Sequence, residues 1–543
     1  MTQADRRASI TIGAAAAVFA ALAVGLFWPG YVAYDSVAQY RQALTGRYDD
    51  WHPPAMARLW SLFGDAGPAP MLIVQMALYW AGFGALAMAL RRTGRRGAAL
   101  AVIAIALWPP LLGWQAVVLK DTQMLAALLG ATGTVGWWRL RDRPVPPLGW
   151  AIVGLLFGYA MLVRANAVFA VVPLAVMLSP LRRWTVRIPM ALAGILMVIA
   201  LSGAVNHRLF GAAPSGVERT QAIYDLTGIG VRTRDPGVGL SSDALAGIAA
   251  KQCLRPFFWD PLGEPARCEP ETAPLRTGSA GALYLRLASA IMHHPVAYAQ
   301  HRLAHWNATG RWWVPLRWIG ADPPGGSEPN DYRFGEPGAA ARTWQRIAAV
   351  LVETPLCWPI LWVVMAIGGL AAARGEAAAV WLARALFVSA LTLEASFAAI
   401  SIASDLRYHL WSMTAAALGW VLLGRMPRGR WLWTAIVLVV GVGSVARLVL
   451  PQQPQTYRGM LGSSSAARQG GMRQVASPAK AGTRLRGAGN PEASTGPAGA
   501  VGKADTAVTT PHGDRSRYGG IKVRFMIVTP GLPRGPAFFR TPA

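Results

Sequence analysis

The chain has 543 residues, 53% hydrophobic and only 14% charged, with a mean hydropathy of +0.33, which excludes an ordinary soluble protein of this length. The formal charge of +26 suggests nucleic acid until it is located: residues 451–543 hold 13 Lys or Arg against 3 Asp or Glu and so supply +10 of it. No helix-turn-helix, zinc-finger or RNA-binding motif accompanies the remainder, so no nucleic-acid partner is inferred.

Apolar runs recur near 10–28, 70–90, 98–113, 121–138, 148–163, 167–180, 188–206, 345–371, 378–402, 406–424 and 431–450. A helix needs roughly 20 such residues to cross a hydrocarbon core, somewhat fewer where protein covers its ends. The fold class expected is therefore all-α and polytopic, with about eleven transmembrane helices. The pair flanking Arg164 is short enough to be one broken helix. Every second connection is basic, with Arg91, Arg92, Arg95 and Arg96, then Arg139, Arg141 and Arg143, then Arg182, Arg183 and Arg187, then Arg374, then Arg425, Arg428 and Arg430. Because cytoplasmic loops concentrate Lys and Arg, these loops and the N-terminus with Arg6 and Arg7 read as cytoplasmic. A cleaved signal peptide ranks below a retained anchor for the first run, which is longer than a usual signal core and ends in Phe27, Trp28 and Tyr31.

Four regions follow: a transmembrane module over 1–206 with a first outer loop at 29–69, a large outer loop over 207–344, a second transmembrane module over 345–450, and a basic tail over 451–543. The tail is rich in Gly, Ser, Ala, Pro and Arg without periodicity, and is expected to be disordered. In the large loop, Gly281 to Trp306 suits an interfacial helix; a helix packed on the loop's own core is the competing reading. Cys253 and Cys268 both fall in this loop, which makes them a disulfide candidate if it faces an oxidising compartment. Cys357 sits in an apolar run as a small hydrophobe.

The chemistry gathers on the outer side. Asp35 follows the first apolar run, and Ser36 with Gln39 has capping-box spacing, so Ser36 is expected to cap 37–44 and Gly46 to end it. That leaves Asp35 for another task, such as general base towards a hydroxyl. Trp51-His52-Pro53-Pro54 is a rigid turn. Asp49 and Asp50 beside His52 leave room for a divalent metal, although three residues so close in sequence are a weak signal. Lys120 and Asp121 open a span and either neutralise each other or face a ligand. Arg164 and Arg407 are outer-side guanidiniums that need anionic partners, and a phosphate fits the guanidinium fork; Asp405 is a structural alternative for Arg407. Glu394 lies inside a span and its role stays open.

Taken in order, these elements resemble the GT-C superfamily of integral membrane glycosyltransferases, which includes protein mannosyltransferases and the aminoarabinose transferases of lipid A. The resemblance covers roughly residues 1–450. Asp35 looks like the first-loop catalytic Asp, His52-Pro53-Pro54 is similar to the His-Pro-Pro turn, and Lys120-Asp121 matches the polar second loop. Arg164-Ala165-Asn166 resembles the Arg-Pro-Asn element with Ala165 in place of proline, and Arg407-Tyr408 resembles the Arg-Tyr that opens a late span. The first loop departs from the superfamily's frequent paired acids, since Ser36 follows Asp35 and the pair here is Asp49-Asp50. The resemblance implies a transferase in a bacterial inner membrane that moves a sugar from a polyprenyl-phosphate carrier to a lipid or envelope acceptor at the periplasmic face. The carrier phosphate would sit on Arg164 with Lys120 or Arg407, and Asp35 would deprotonate the acceptor. Two other classes stay open: a transporter or flippase of a lipid-linked or anionic solute, and a non-catalytic membrane scaffold.

Overall fold

The computed structural model describes residues 3–454 apart from 182 and 426–428; the expectation of a disordered tail falls on residues outside that set from 455 onward. All regular structure among the described residues is helical. Among the described residues five helices are long and apolar enough to cross a membrane: Ser9–Phe27, Ala69–Arg92, Trp184–Leu209, Ala378–Ile400 and Arg430–Val449. A sixth span arises if Arg96–Ala106 and Pro109–Gln115, bent by 53° at the Trp108-Pro109-Pro110 break, count as one. None of the apolar window of Trp184–Leu209 is buried by protein. Leu192, Leu196, Met197, Ile199 and Leu201 all point outward, a surface that water would not tolerate at this size.

The remaining apolar runs also form helices, but length and composition do not by themselves make them spans. Pro147–Val163, Ala165–Leu178 and Pro359–Ala372 are short. Lys120–Arg139 is long but less apolar, because protein rather than lipid surrounds nearly all of it. The run expected as one span at 345–371 is two helices, Ala339–Leu351 and Pro359–Ala372, separated by a turn at Pro355–Cys357. Pro355 and Pro359 lack the N–H that a continuous helix requires. The first of the two leans instead on Pro109–Gln115, with Gln345 donating to Gly113 O at 3.0 Å.

Two helices at the centre approach very closely. A Cβ on Gly82 would run into the backbone of Leu129, and one on Gly133 would meet the backbone of Gly82, so Ala69–Arg92 and Lys120–Arg139 pack with almost no side chain between them.

The arginine-rich connections touch one another at one end of these helices. Arg95 donates to Val421 O at 2.9 Å and Leu422 O at 2.7 Å, Arg384 to Ala373 O at 2.7 Å, and Arg425 to Ala372 O. Each cation satisfies carbonyls that a helix C-terminus leaves unpaired, where the helix dipole favours positive charge. Arg139 and Lys120 occupy opposite ends of one helix, so the end with Lys120 is the other one.

Residues 220–291 carry a core of their own, built on Ile223, Tyr224, Ile229, Ile248, Leu262 and Leu283. The structure joins Cys253 and Cys268 by a disulfide. The helix expected over Gly281 to Trp306 is two, Ala280–His293 and Pro295–Gly310. Pro295 disfavours helical geometry at His294, and the helix breaks there.

Candidate functional site

Three isolated backbone bridges, Tyr31 with Val117, Asp49 with Ala213 and Phe258 with Ala403, bring distant segments together. The first sets Asp35 beside Lys120. The third sets the loop after Cys253 beside the segment that holds Arg407. Between them lies a cavity of about 530 Å³ whose wall includes Asp35, His52, Lys120, Arg164, Arg407 and Tyr408.

Asp35 stands in the first turn of Tyr34–Thr45, where the helix dipole favours a carboxylate. The expected cap differs, because Ser36 is already inside this helix. Its hydroxyl accepts from Ala33 N–H at 3.0 Å and donates to Val118 O at 2.5 Å, so it is committed to the bridge with the Lys120 segment. Gly46, with φ of 67°, ends the helix as expected.

The Asp35 carboxylate lies 3.4 Å from Lys120 Nζ and 3.3 Å from Arg407 Nη2. Burial would raise its pKa, but the fields of Lys120 and Arg407 outweigh that and hold it well below the usual carboxylate range. His52 is buried, with Nδ1 2.6 Å from Lys120 Nζ. Burial, then the Lys120 charge, pushes the imidazole down from 6.5 to about 3, so it is neutral and accepts the ammonium's hydrogen bond. Its other nitrogen lies 3.8 Å from Asp35, without the charge an ion pair would need.

Asp121 is fully buried and does not reach the cavity surface. Its carboxylate lies 3.2 Å from Arg164 Nε and 3.8 Å from Arg407 Nε, so it orients two guanidiniums. Arg164 also donates to Asn166 Oδ1 at 2.9 Å and lies 4.3 Å over the Tyr408 ring. Arg407 pairs with Asp405 at 3.0 Å. The cluster of Lys120, Arg164 and Arg407 against Asp35, Asp121 and Asp405 carries no excess charge. An anion entering the cavity therefore competes with Asp35 for Lys120 and Arg407.

Asp49 and Asp50 are placed elsewhere. Asp50 accepts from Ser215 N–H at 2.6 Å and meets His207 at 2.8 Å, while Asp49 accepts from Trp51 N–H at 3.1 Å. The Asp50 carboxylate and the Asp49 backbone, bridged to Ala213, fasten the first outer loop to the large one, and neither residue lines the cavity. His52 turns away from them towards Lys120. Among the described residues no group of three or more His, Cys, Asp or Glu is arranged to hold a metal ion. Glu394 is buried and contacts His409 Nδ1 at 2.8 Å, and His409 Nε2 meets Thr309 Oγ1 at 2.8 Å, which braces the segment after Arg407.

Sequence reasoning passed over the part of the wall formed by Phe257, Phe258, Trp259 and Asp260, against which the turn residue Trp51 packs. An aromatic run ending in an acid and a proline, enclosed by the two cysteines, was the available signal. Comparison of the chain with family models, curated proteins and solved structures gives no match.

Proposed function

We propose that the protein is an integral membrane glycosyltransferase that takes a sugar from a polyprenyl-phosphate carrier and gives it to a lipid or envelope acceptor at the outer face of a bacterial inner membrane. In this reading all eleven apolar segments lie in the membrane region, the basic end is cytoplasmic and the cavity is periplasmic.

The observation that carries the proposal is the segment Ser404 to Met413, which borders two spaces of opposite character. Asp405, Arg407 and Tyr408 face the charged cavity. Leu406, Leu410 and Met413 face an apolar groove of about 250 Å³, shared with Ile105, Trp108, Leu111 and Trp362. An amphiphile with an anionic head and a long hydrocarbon tail meets both at once. Its phosphate takes Lys120, Arg164 and Arg407, whose charge stabilises the phosphate as it leaves the sugar. Asp35 then sits as a carboxylate beside the anomeric carbon, where positive charge develops.

Binding of a panel of polyprenyl-phosphate sugars to the full chain in lipid nanodiscs tests this. Wild type is expected to bind at least one in a saturable way, with Arg164→Ala weakened by about tenfold or more, as loss of a charge-assisted hydrogen bond predicts. Absence of binding across the panel would sink the proposal, and uptake of solute into vesicles without a covalent product would replace it with transport.

A further inference from the structure

A transferase needs a group to accept the proton that the acceptor hydroxyl gives up, and this inference rests on the transferase reading above. Three carboxylates line the cavity: Asp35, Asp260 and Asp405. Two are already engaged. Asp35 is held between Lys120 and Arg407, and Asp405 pairs with Arg407. A carboxylate so stabilised as an anion is a weak base.

Asp260 differs in every respect that matters. It has no ion-pair partner among the described residues, and its side chain is open to the cavity. It follows Phe257, Phe258 and Trp259 in the part of the wall that the large outer loop supplies. Trp259 packs against Trp51 at 5.7 Å between ring centroids, and Phe257 stacks on Phe258 at 4.3 Å. Phe258 and Trp259 are buried and back the wall, while the half-buried Trp51 and Phe257 with one polar group beside them suit the face of a sugar ring. The segment is pinned on both flanks, by the disulfide of Cys253 and Cys268 and by the bridge of Phe258 to Ala403.

The charges facing Asp260 agree with the geometry. Burial pushes its carboxyl up to about 6, its own backbone N–H opposes that, and the like charges of Asp405, Asp35 and Glu264 add to the rise. The accessible surface of Asp260 and the dense protein around it act in opposite directions. Solvent reaching that surface weakens the push from burial, and the like charges of Asp405 and Asp35 remain. Lys120, Arg164, Arg407, neutral His52 and Tyr408 are the other titratable groups on the cavity wall, and all five are engaged with other partners. Two carboxylates in one cavity are thus driven apart in pKa, the pattern that separates acid-base roles.

We infer that Asp260 is the general base of the reaction and that the aromatic wall around it is the acceptor subsite, which takes a hydroxyl-bearing sugar. The acceptor's O–H bond breaks and its proton goes to a carboxylate oxygen of Asp260. The freed electron pair on the acceptor oxygen forms the bond to the anomeric carbon. The bond from that carbon to the carrier phosphate breaks, and its electron pair leaves on the phosphate. Asp260 returns the proton to water when the product departs.

The test uses the full chain in nanodiscs with radiolabelled polyprenyl-phosphate sugars, and reads donor binding and release of free carrier phosphate separately. Turnover is followed with simple sugars, and with water alone, as acceptor. Wild-type turnover is expected to rise with pH through about 6 and then level off. Asp260→Asn should bind donor like wild type and lose about 10²- to 10⁴-fold in turnover, together with the acidic limb. Asp260→Glu should keep partial turnover with a displaced limb, a readout that a purely structural role would not move. Wild-type rates in Asp260→Asn, or an unchanged limb in Asp260→Glu, would overturn the assignment. So would a wild type that binds donor and releases no carrier phosphate. Absence of donor binding would instead overturn the transferase reading, and this inference with it.

Discussion

Lys120 Nζ lies 2.6 Å from His52 Nδ1, so a buried ammonium is bound to a neutral imidazole rather than to a second charge. The ammonium keeps its ion pair with Asp35 at 3.4 Å. The arrangement also makes folding sensitive to acid. The folded-state pKa of His52, about 3, lies below its ordinary 6.5. The unfolded chain therefore binds a proton that the native state refuses over the interval between them, and stability falls as pH drops from 6.5 towards 3. Above 6.5 the effect vanishes. His305, also pushed down to about 3, acts in the same direction. His52→Gln should retain an acceptor for Lys120 while removing one such proton. Its melting temperature should accordingly fall less than that of wild type between about pH 7 and pH 5. Thermal unfolding in detergent at the two pH values measures this, and equal acid sensitivity in both proteins would reject the assignment.

Asp121 gives the second prediction. It is fully buried between Arg164 and Arg407, and removing one partner of such a group leaves desolvated charge behind, at a cost of about 3–5 kcal/mol. Asp121→Ala should unfold at a clearly lower temperature and bind carrier phosphate more weakly, because both guanidiniums lose their orienting partner. A variant of wild-type stability would mean that Asp405 and Asp35 suffice to hold them.

The groups that meet at the cavity were legible where a charge interrupts or ends an apolar run: Asp35, Lys120, Arg164 and Arg407 all do so. What the pattern hides is direction. Of the most conspicuous acidic pair, Asp50 turns towards Ser215 and His207 and Asp49 caps the Trp51 N–H, because the Asp49 to Ala213 bridge fixes the backbone there. Asp260 sits in a polar loop without periodicity, so its place in the cavity depends on a disulfide and a bridge that no local spacing encodes. The helix break at Pro355 and Pro359 was written in the chain, but an apolar run with prolines near its middle reads much like one long span.

The disulfide gives a third prediction. Cys253 and Cys268 close a loop 15 residues apart, and Phe257 to Asp260 lie inside it. Such a loop is worth about 3 kcal/mol in the chain-entropy account. The double variant Cys253→Ser/Cys268→Ser should therefore melt lower, and carrier binding, proposed above to use Lys120, Arg164 and Arg407, should change little. If carrier binding falls as far as stability does, the two walls of the cavity are not independent.

Gly82 separates helix propensity from packing. In an exposed helix, alanine is favoured over glycine by about 1 kcal/mol. Gly154 faces open space, with no heavy atom within 4 Å of the place a methyl carbon would take, and Gly154→Ala should keep or slightly raise the melting temperature. At Gly82 a methyl group would run into the Leu129 carbonyl, a backbone group that has no rotamer by which to move aside. Gly82→Ala must therefore push Ala69–Arg92 away from Lys120–Arg139, opening their close backbone contact and shifting Lys120 at the far end. Overpacking of this kind costs about 1–3 kcal/mol, more than the propensity gain. The expected outcome is a lower melting temperature for Gly82→Ala and not for Gly154→Ala. The reverse order would show that the two helices do not meet through their glycines.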